Sequence, residues 1–329
     1  MTGCTGGLGQ GFAETLARRG FNLLLISRSA TKLDALAKEL RSAHSIEARF
    51  LTFDFLHSVT GSADERKFFD QTLPKMLDEL DNDVALLVNN VGVGNENPHL
   101  APEVRARGPS PSLSPRVLRA FAPPSPPQVD LEEEEAMVRV NCGAAVRMCR
   151  VLLPRFAARR SGAVLNISSG SCNQPSPCVA RALSRVFARR ARARARRPLP
   201  LARSYLAVYS ATKAFLAQYS QCIAREYAAM GLLISCVTPY YISGTGLYAN
   251  AKASVNAPPV RTIVSGALKT LASASATERE LAFGYNVHAL MGFIFGSVPF
   301  AAPSSRRASC DPRTRASPAV APVPSSRIR

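Results

Sequence analysis

Residues 2–9 have the sequence Thr-Gly-Cys-Thr-Gly-Gly-Leu-Gly, a glycine-rich turn near the start of the chain. The apolar residues that follow at helical spacing predict a helix that ends near Gly20. Glycines let the backbone turn tightly and approach a pyrophosphate at the N-terminus of such a helix. The stretch therefore predicts the phosphate-binding turn of a dinucleotide fold. Its predicted cofactor-binding residues are Thr2, Gly3, Gly7, Leu8 and Gly9.

Two further positions predict how the rest of a dinucleotide would be held. A predicted strand at 22–27 ends in Arg28, where a dinucleotide fold places its ribose-reading residue. An acidic residue there would bind the 2′-hydroxyl of NAD, whereas Arg28 with Lys32 one turn later favours the 2′-phosphate of NADP. Asp54 ends the next predicted strand and can accept from an adenine amino group. A loop aspartate without a ligand is the alternative.

The strand that should lead into the glycine-rich turn is missing, because only Met1 precedes Thr2. In a doubly wound sheet this strand is central and pairs with two others, so its loss would split the sheet. We therefore expect the chain as written to be truncated at its N-terminus and not to fold stably.

Apolar runs of strand length alternate with helical patterns along the rest of the chain. The runs at 84–88, 163–167 and 232–237 are typical of parallel strands buried on both faces. Helices are predicted over 131–151 and from Tyr209 to Gly231. The pattern predicts an α/β protein with a Rossmann-type doubly wound parallel sheet. Ligands bind such sheets at the carboxyl ends of the strands, where Asn89 is a predicted cofactor-binding residue.

The net charge of +18 is concentrated in three stretches, 101–128, 174–204 and 301–329, which together carry +17 and 17 of the 24 prolines. They lack periodic apolar positions, so we predict two irregular insertions and a disordered tail on a single domain of residues 1–300. No nucleic-acid fold surrounds the arginine run at 185–197, and no nucleic-acid partner is predicted. Translation of unspliced sequence is the leading explanation of the three stretches.

The eight cysteines form no C-x-x-C pair and no cluster with histidine, so neither a metal site nor a disulfide framework is predicted. No run of about 18 apolar residues predicts a membrane span. The apolar stretch at 287–302 is too short to span, and it is compatible with a membrane interface or a buried C-terminal element.

Tyr209 and Lys213 are four residues apart, so on a helix their side chains share one face. A nearby ammonium stabilises a phenolate, which suits proton transfer to a carbonyl. The spacing alone does not distinguish this pair, because Tyr248 and Lys252 repeat it.

Five signals occur in a fixed order: the turn at 2–9, the Asn89–Gly92 sequence, Asn141, Ser169 and the Tyr209–Lys213 stretch. Together they resemble the short-chain dehydrogenase/reductase family. A closer resemblance is to the very-long-chain 3-oxoacyl-CoA reductases and their 17β-hydroxysteroid dehydrogenase relatives, over roughly residues 2–100, 129–173 and 205–300. It is carried by Leu25–Ser29, Val91, Asn166–Ser171, Tyr209–Lys213, Pro239-Tyr240 and Val287–Gly292.

The resemblance implies a role for each matched residue. Tyr209 would protonate the carbonyl oxygen, and Lys213 would assist it and contact the nicotinamide ribose. Ser169 would hydrogen-bond the substrate oxygen, and Asn141 would hold a water in the proton relay. Ser168 competes with Ser169, but the family's catalytic serine aligns with the second of the pair. A strand-end cap and a locally bonded helical asparagine are the alternatives for Ser169 and Asn141.

The implied activity is NADPH-dependent reduction of a lipid carbonyl, most specifically of 3-oxoacyl-CoA to 3-hydroxyacyl-CoA in very-long-chain fatty-acid elongation at the endoplasmic reticulum membrane. A 17-ketosteroid reductase is one alternative, and a truncated chain without catalytic activity is another. The implied partners are NADPH and an acyl-CoA or steroid, and membrane association and a homodimer are compatible with the resemblance.

The chain departs from the family pattern in three places. Ser169 and Tyr209 are 40 residues apart, many more than in family members. Cofactor contacts are implied for Pro239 and for a threonine five residues later, but that position is Gly244, so the contact is assigned to Thr245. The resemblance also implies an N-terminal membrane anchor, which we do not expect in the chain as written.

Overall fold

The computed structural model describes residues 1–56, 61–80, 83–94, 131–173, 207–245, 252–272, 281–282 and 284–289. The predicted insertions 101–128 and 174–204, the predicted tail 301–329 and Tyr248 lie outside the described residues.

Helices and strands alternate along the described chain. The helices are α1 (Gly7–Arg18), α2 (Ala30–His44), α3 (Ala63–Arg66), α4 (Leu73–Asp78), α5 (Leu131–Val138), α6 (Ala144–Ala158), α7 (Ala207–Glu226) and α8 (Val260–Ala272). The strands are β1 (Leu23–Ser27), β2 (Ala48–Thr52), β3 (Leu86–Asn89), β4 (Ala163–Ile167), β5 (Leu233–Val237) and β6 (Leu281–Ala282). Segments Lys67–Thr72 and Arg139–Gly143 are π-helical, and Gly170–Asn173 and Ala228–Met230 are 3₁₀ turns.

All of the strand pairs are parallel, in one ladder of order β1-β2 and another of order β3-β4-β5-β6. Met1–Gly3 lies between the two ladders. The Thr2 amide donates to Val88 O at 3.0 Å and the Gly3 amide to Ile26 O at 2.9 Å. The structure therefore has two ladders, and Met1–Gly3 bonds to both of them near the carboxyl ends of β1 and β3.

Successive strand residues point to opposite faces of the sheet, and each face has its own apolar core. One core contains Leu25 and Val88 and is covered by α1, α2 and α8. The other contains Ile26 and Leu87 and is covered by α4, α6 and the end of α7. Strands that are buried on both faces and covered by helices give the doubly wound α/β fold that the alternation predicts.

Several predicted boundaries were wrong. The predicted helix over 131–151 contains the π-helical segment Arg139–Gly143 and extends to Ala158. The helix that carries Tyr209 ends at Glu226, and a 3₁₀ turn separates it from Gly231. Helix α8 was not predicted, although its buried residues Ile263, Val264, Ala267, Leu268 and Leu271 have helical spacing.

Candidate active site

The glycine-rich turn depends on glycine at three positions. Gly3 and Gly7 have φ of +62° and +53°, in the left-handed region that other residues rarely adopt. Gly9 packs against the Gly3 carbonyl and lies where a Cβ would be 2.9 Å from the Cα of Cys4. No side chain caps the N-terminus of α1. Its first amides are therefore available to an anion, which the helix dipole favours.

Thr2 and Asn90 hold this turn against the end of β3. The Thr2 hydroxyl is buried and accepts from the amides of Asn90 and Val91, both at 3.1 Å. The Asn90 side chain donates to Gly3 O at 2.8 Å. Thr2 was predicted as a cofactor residue, but its side chain supports the turn from inside. Leu8 is half-buried, and its side chain packs against the first core.

The other predicted cofactor residues lie just after β1 and β2 or across from the turn, and the space between them and the turn is the candidate cofactor groove. Arg28 follows β1, and both it and Lys32 are exposed. Asp54 is half-buried, and its carboxylate accepts from the Leu56 amide at 2.9 Å. Thr245 lies across from the turn, and a Cβ added to Gly7 would be 3.8 Å from the Cβ of Thr245. Uncapped helix amides and glycines in close approach fit the pyrophosphate of a nicotinamide dinucleotide.

Asn89 points away from this groove and into a buried network. Its Nδ2 donates to Asn166 Oδ1 at 2.8 Å and lies 3.5 Å from the sulfur of Cys149. Asn166 in turn donates to the hydroxyl of Ser220 at 2.8 Å. Burial raises the pKa of Cys149 to about 12, so this sulfur stays protonated. The network ties β3 and β4 to α7, and a cofactor contact by Asn89 would have to use its main chain.

Tyr209 and Lys213 meet on α7 as the helical spacing predicts. The Lys213 ammonium lies 5.6 Å from the centroid of the Tyr209 ring and donates to Ile167 O at 3.2 Å. Lys213 is buried, and its Nζ lies 3.2 Å from the position of a Cβ on Gly92. Tyr209 is half-buried. The pair therefore lies where β3 and β4 end.

Asn141 lies in the π-helical segment, and its side chain makes three hydrogen bonds to protein partners. Its Oδ1 accepts from the Val93 amide at 2.8 Å, and its Nδ2 donates to Val93 O at 2.9 Å and to the Thr212 hydroxyl at 3.0 Å. The side chain thus fastens the segment after β3 to α7. A water held by Asn141 would bond to its main chain or to the second lone pair of Oδ1.

Ser168 and Ser169 have different surroundings. The Ser168 hydroxyl is buried and donates to Lys213 O at 2.6 Å. Ser169 is half-buried, and its oxygen accepts from the Ser171 amide at 3.3 Å. The proton of Ser168 is therefore committed to the main chain of α7, whereas Ser169 keeps a donor for another acceptor. This difference favours Ser169 over Ser168 as the group that contacts a substrate oxygen.

The described residues on either side of the predicted insertion 174–204 lie together, because α7 packs against the 3₁₀ turn that follows Ser169. The loop after β5 completes the site. Pro239 O accepts from the Gly170 amide at 2.8 Å, and the Tyr240 ring lies over Gly170, where a Cβ would come within 2.5 Å of the ring.

Comparison with known proteins agrees with this arrangement. Residues 1–106 match the model of the short chain dehydrogenase family. The very-long-chain 3-oxoacyl-CoA reductase of Macaca fascicularis is 30% identical over 304 residues, with 91% of this chain and 74% of the relative covered. That of Homo sapiens is 30% identical over 299 residues, with the same shares covered. The chain belongs to the short-chain dehydrogenase/reductase family.

The fold of this short-chain dehydrogenase/reductase also matches solved structures. A short-chain dehydrogenase from Sphingobium yanoikuyae in complex with NADPH superposes with a TM-score of 0.57 and 22% identity, covering 93% of this chain and 98% of the other. The family consists of oxidoreductases, and the chain is an oxidoreductase that acts on CH–OH or ketone groups. Among the described helices, none is long and apolar enough to cross a membrane.

Sequence reasoning missed the supporting residues of this short-chain dehydrogenase/reductase. The elements that carry the candidate catalytic residues are joined by hydrogen bonds of Ser168, Thr212, Asn166 and Ser220, and none of these was predicted to do so. Their partners lie far away along the chain, so no local pattern identifies them. Asn90 could have been predicted from the sequence. It forms a polar pair with Asn89 at the end of a buried strand, and the two side chains of such a pair point to opposite faces.

Proposed function

We propose that this oxidoreductase uses NADPH to reduce the 3-keto group of a long 3-oxoacyl-CoA. The observation that carries the proposal is the meeting of Tyr209, Lys213 and the Ser169 turn at the carboxyl ends of β3 and β4. The names of the relatives support the choice of a 3-oxoacyl-CoA substrate.

The cofactor would lie along the glycine-rich turn. Its pyrophosphate would face Gly7 and the first amides of α1, and Arg28 would bind the 2′-phosphate. Pro239 and Thr245 border the nicotinamide end of this groove in the proposal. When bound, the cofactor supplies the hydride to the carbonyl carbon.

The side chains would handle the charge and the proton. Negative charge develops on the substrate oxygen as the carbonyl is reduced, and a donor already in place stabilises it. Ser169 would donate a hydrogen bond to this oxygen, and Tyr209 would give it a proton. The Lys213 ammonium, held by Ile167 O, lies 5.6 Å from the centroid of the Tyr209 ring and would contact the nicotinamide ribose. Asn141 would keep α7 in register with the segment after β3.

Removal of the Tyr209 phenol tests the proposal. We expect Tyr209→Phe to lower kcat by roughly 10² to 10⁴-fold with little change in folding, because the ring remains and only the proton source is lost. NADPH oxidation would be followed with a long-chain 3-oxoacyl-CoA and with a 17-ketosteroid. Tyr248→Phe is the matched control, since Tyr248 shares the spacing to a lysine. Full activity of Tyr209→Phe, or turnover of the steroid alone, would contradict the proposal.

Cofactor choice is tested at Arg28. We expect Arg28→Ala to reduce the preference for NADPH over NADH by about tenfold, because one charged hydrogen bond to the 2′-phosphate is lost. Affinities for both cofactors would be measured by nicotinamide fluorescence. Arg19→Ala, an exposed arginine beyond the end of α1, serves as the control. An equal loss of affinity for both cofactors would show that Arg28 does not read the 2′-phosphate.

Residence at the endoplasmic reticulum membrane and homodimer formation are parts of the same proposal. They follow from the resemblance and are checked by fractionating cells that express the chain and by sedimentation of the purified protein.

A further inference from the structure

His288 is a fully buried histidine with two hydrogen bonds to main-chain atoms of other segments. Its Nδ1 accepts from the Tyr240 amide at 3.2 Å, and its Nε2 lies 3.3 Å from Asn256 O. An acceptor at Nδ1 and a donor at Nε2 define one neutral tautomer. Burial lowers the pKa of His288, which favours this neutral form.

The segment that presents His288 is fixed to the rest of the fold. Strand β6 pairs with the end of β5, and Gly284 lies against the main chain at Gly266 on α8. The ring of Tyr285 packs edge-on against His288, with centroids 5.3 Å apart. His288 is therefore presented from an anchored element and not from a free loop.

The Tyr240 amide belongs to the loop that faces the Ser169 turn. The adjacent Pro239 accepts from the Gly170 amide at 2.8 Å, and the Tyr240 ring covers Gly170. The same ring packs edge-on against His288, with centroids 5.8 Å apart. One continuous set of contacts thus runs from His288 through Tyr240 to the residue that follows Ser169.

We propose that His288 is a positioning residue, which holds the Pro239–Tyr240 loop against the Ser169 turn by accepting the Tyr240 amide. This deepens the proposed function, because the loop borders the place assigned to the nicotinamide and Ser169 is assigned to the substrate oxygen. Loss of this acceptor removes the hydrogen bond that joins the Tyr240 amide to His288, and the loop gains freedom to move away from Gly170.

Three substitutions in the full chain separate the two hydrogen bonds. His288→Phe keeps a flat ring and removes both bonds. His288→Asn can place an oxygen near the position of Nδ1 and so can keep the bond to Tyr240. His288→Gln reaches the position of Nε2 and so can keep only the bond to Asn256. Ser235→Ala is the control, a buried hydroxyl on β5 without a hydrogen-bond partner among the described residues.

The first readout is backbone hydrogen exchange, which needs neither cofactor nor turnover. We expect His288→Phe and His288→Gln to speed exchange by about tenfold in peptides that cover 238–244 and 169–173, and we expect His288→Asn to restore protection. Unchanged exchange in His288→Phe would overturn the proposal. Restoration by His288→Gln but not by His288→Asn would overturn it too, because it would make Asn256 the relevant partner.

The second readout is turnover of a 3-oxoacyl-CoA with NADPH. We expect His288→Phe to lower kcat by about tenfold with a smaller change in KM, and His288→Asn to recover most of the loss. A normal kcat despite faster exchange would overturn the positioning role. Absence of turnover in the unaltered chain would instead contradict the proposed function, and hydrogen exchange would still test the contact made by His288.

Discussion

The two ends of the candidate site are held in place by different means. The cofactor end, around residues 2–9, depends on backbone geometry, since Gly3 and Gly7 have positive φ and Gly9 leaves no room for a side chain. The catalytic end depends on side chains that bond across long stretches of sequence, as Asn166 does with Asn89 and Ser220. Substitutions at the first end should therefore destabilise the protein by steric collision. Substitutions at the second end should destabilise it by removing a hydrogen-bond partner.

The largest effect is expected at Gly9. We expect Gly9→Ala to lower the free energy of unfolding by about 3 kcal/mol, because the new methyl group would collide with main-chain atoms of Gly3 and Cys4 that cannot easily move. Urea unfolding would measure the loss, and nicotinamide fluorescence would measure the accompanying loss of NADPH binding.

Gly6→Ala is the matched control in the same turn. Nothing lies within 4 Å of the position of a Cβ on Gly6, and its φ of 176° is open to any residue. Its stability should therefore stay close to that of the unaltered chain. Equal losses from the two substitutions would show that the whole turn, and not the contact at Gly9, limits stability.

This contrast also explains how much the sequence could predict. The glycine-rich turn, the alternation of strands and helices and the Tyr209–Lys213 pair are local patterns, and a local pattern is open to sequence reasoning. Asn89 was assigned to the cofactor because it ends a strand, but its partner Asn166 is 77 residues away. The hydrogen bonds of the Asn141 side chain to Val93 and Thr212 depend on contacts of the same kind.

Strand β6 was beyond prediction for a related reason. It has two residues, which are too few to show the periodic apolar pattern of a strand. Its place in the sheet is set by pairing with Cys236 and Val237. His288, which follows it, could be matched to a family motif, but its two hydrogen bonds join segments that only the fold brings together.

An intermediate effect is expected from the buried network at the catalytic end. Asn166→Ala should lower the free energy of unfolding by about 2 kcal/mol, because Asn89 and Ser220 would each lose a partner while staying buried. Ser235→Ala, on the neighbouring strand, should cost far less, since its hydroxyl has no described partner to lose. Similar losses in both variants, measured by urea unfolding, would show that packing and not the network holds this end.

The smallest effect separates two adjacent serines. Ser168→Ala should lower the free energy of unfolding by about 1 kcal/mol, because it removes the buried bond to the Lys213 carbonyl, and should reduce kcat only severalfold. Ser169→Ala should leave stability nearly unchanged and reduce kcat by roughly 10²-fold, since its hydroxyl is the one assigned to the substrate oxygen. Unfolding measurements and steady-state kinetics would show whether Ser168→Ala mainly lowers stability and Ser169→Ala mainly lowers kcat. A larger kcat loss in Ser168→Ala would reverse the assignment and place the catalytic donor on the residue that the structure ties to α7.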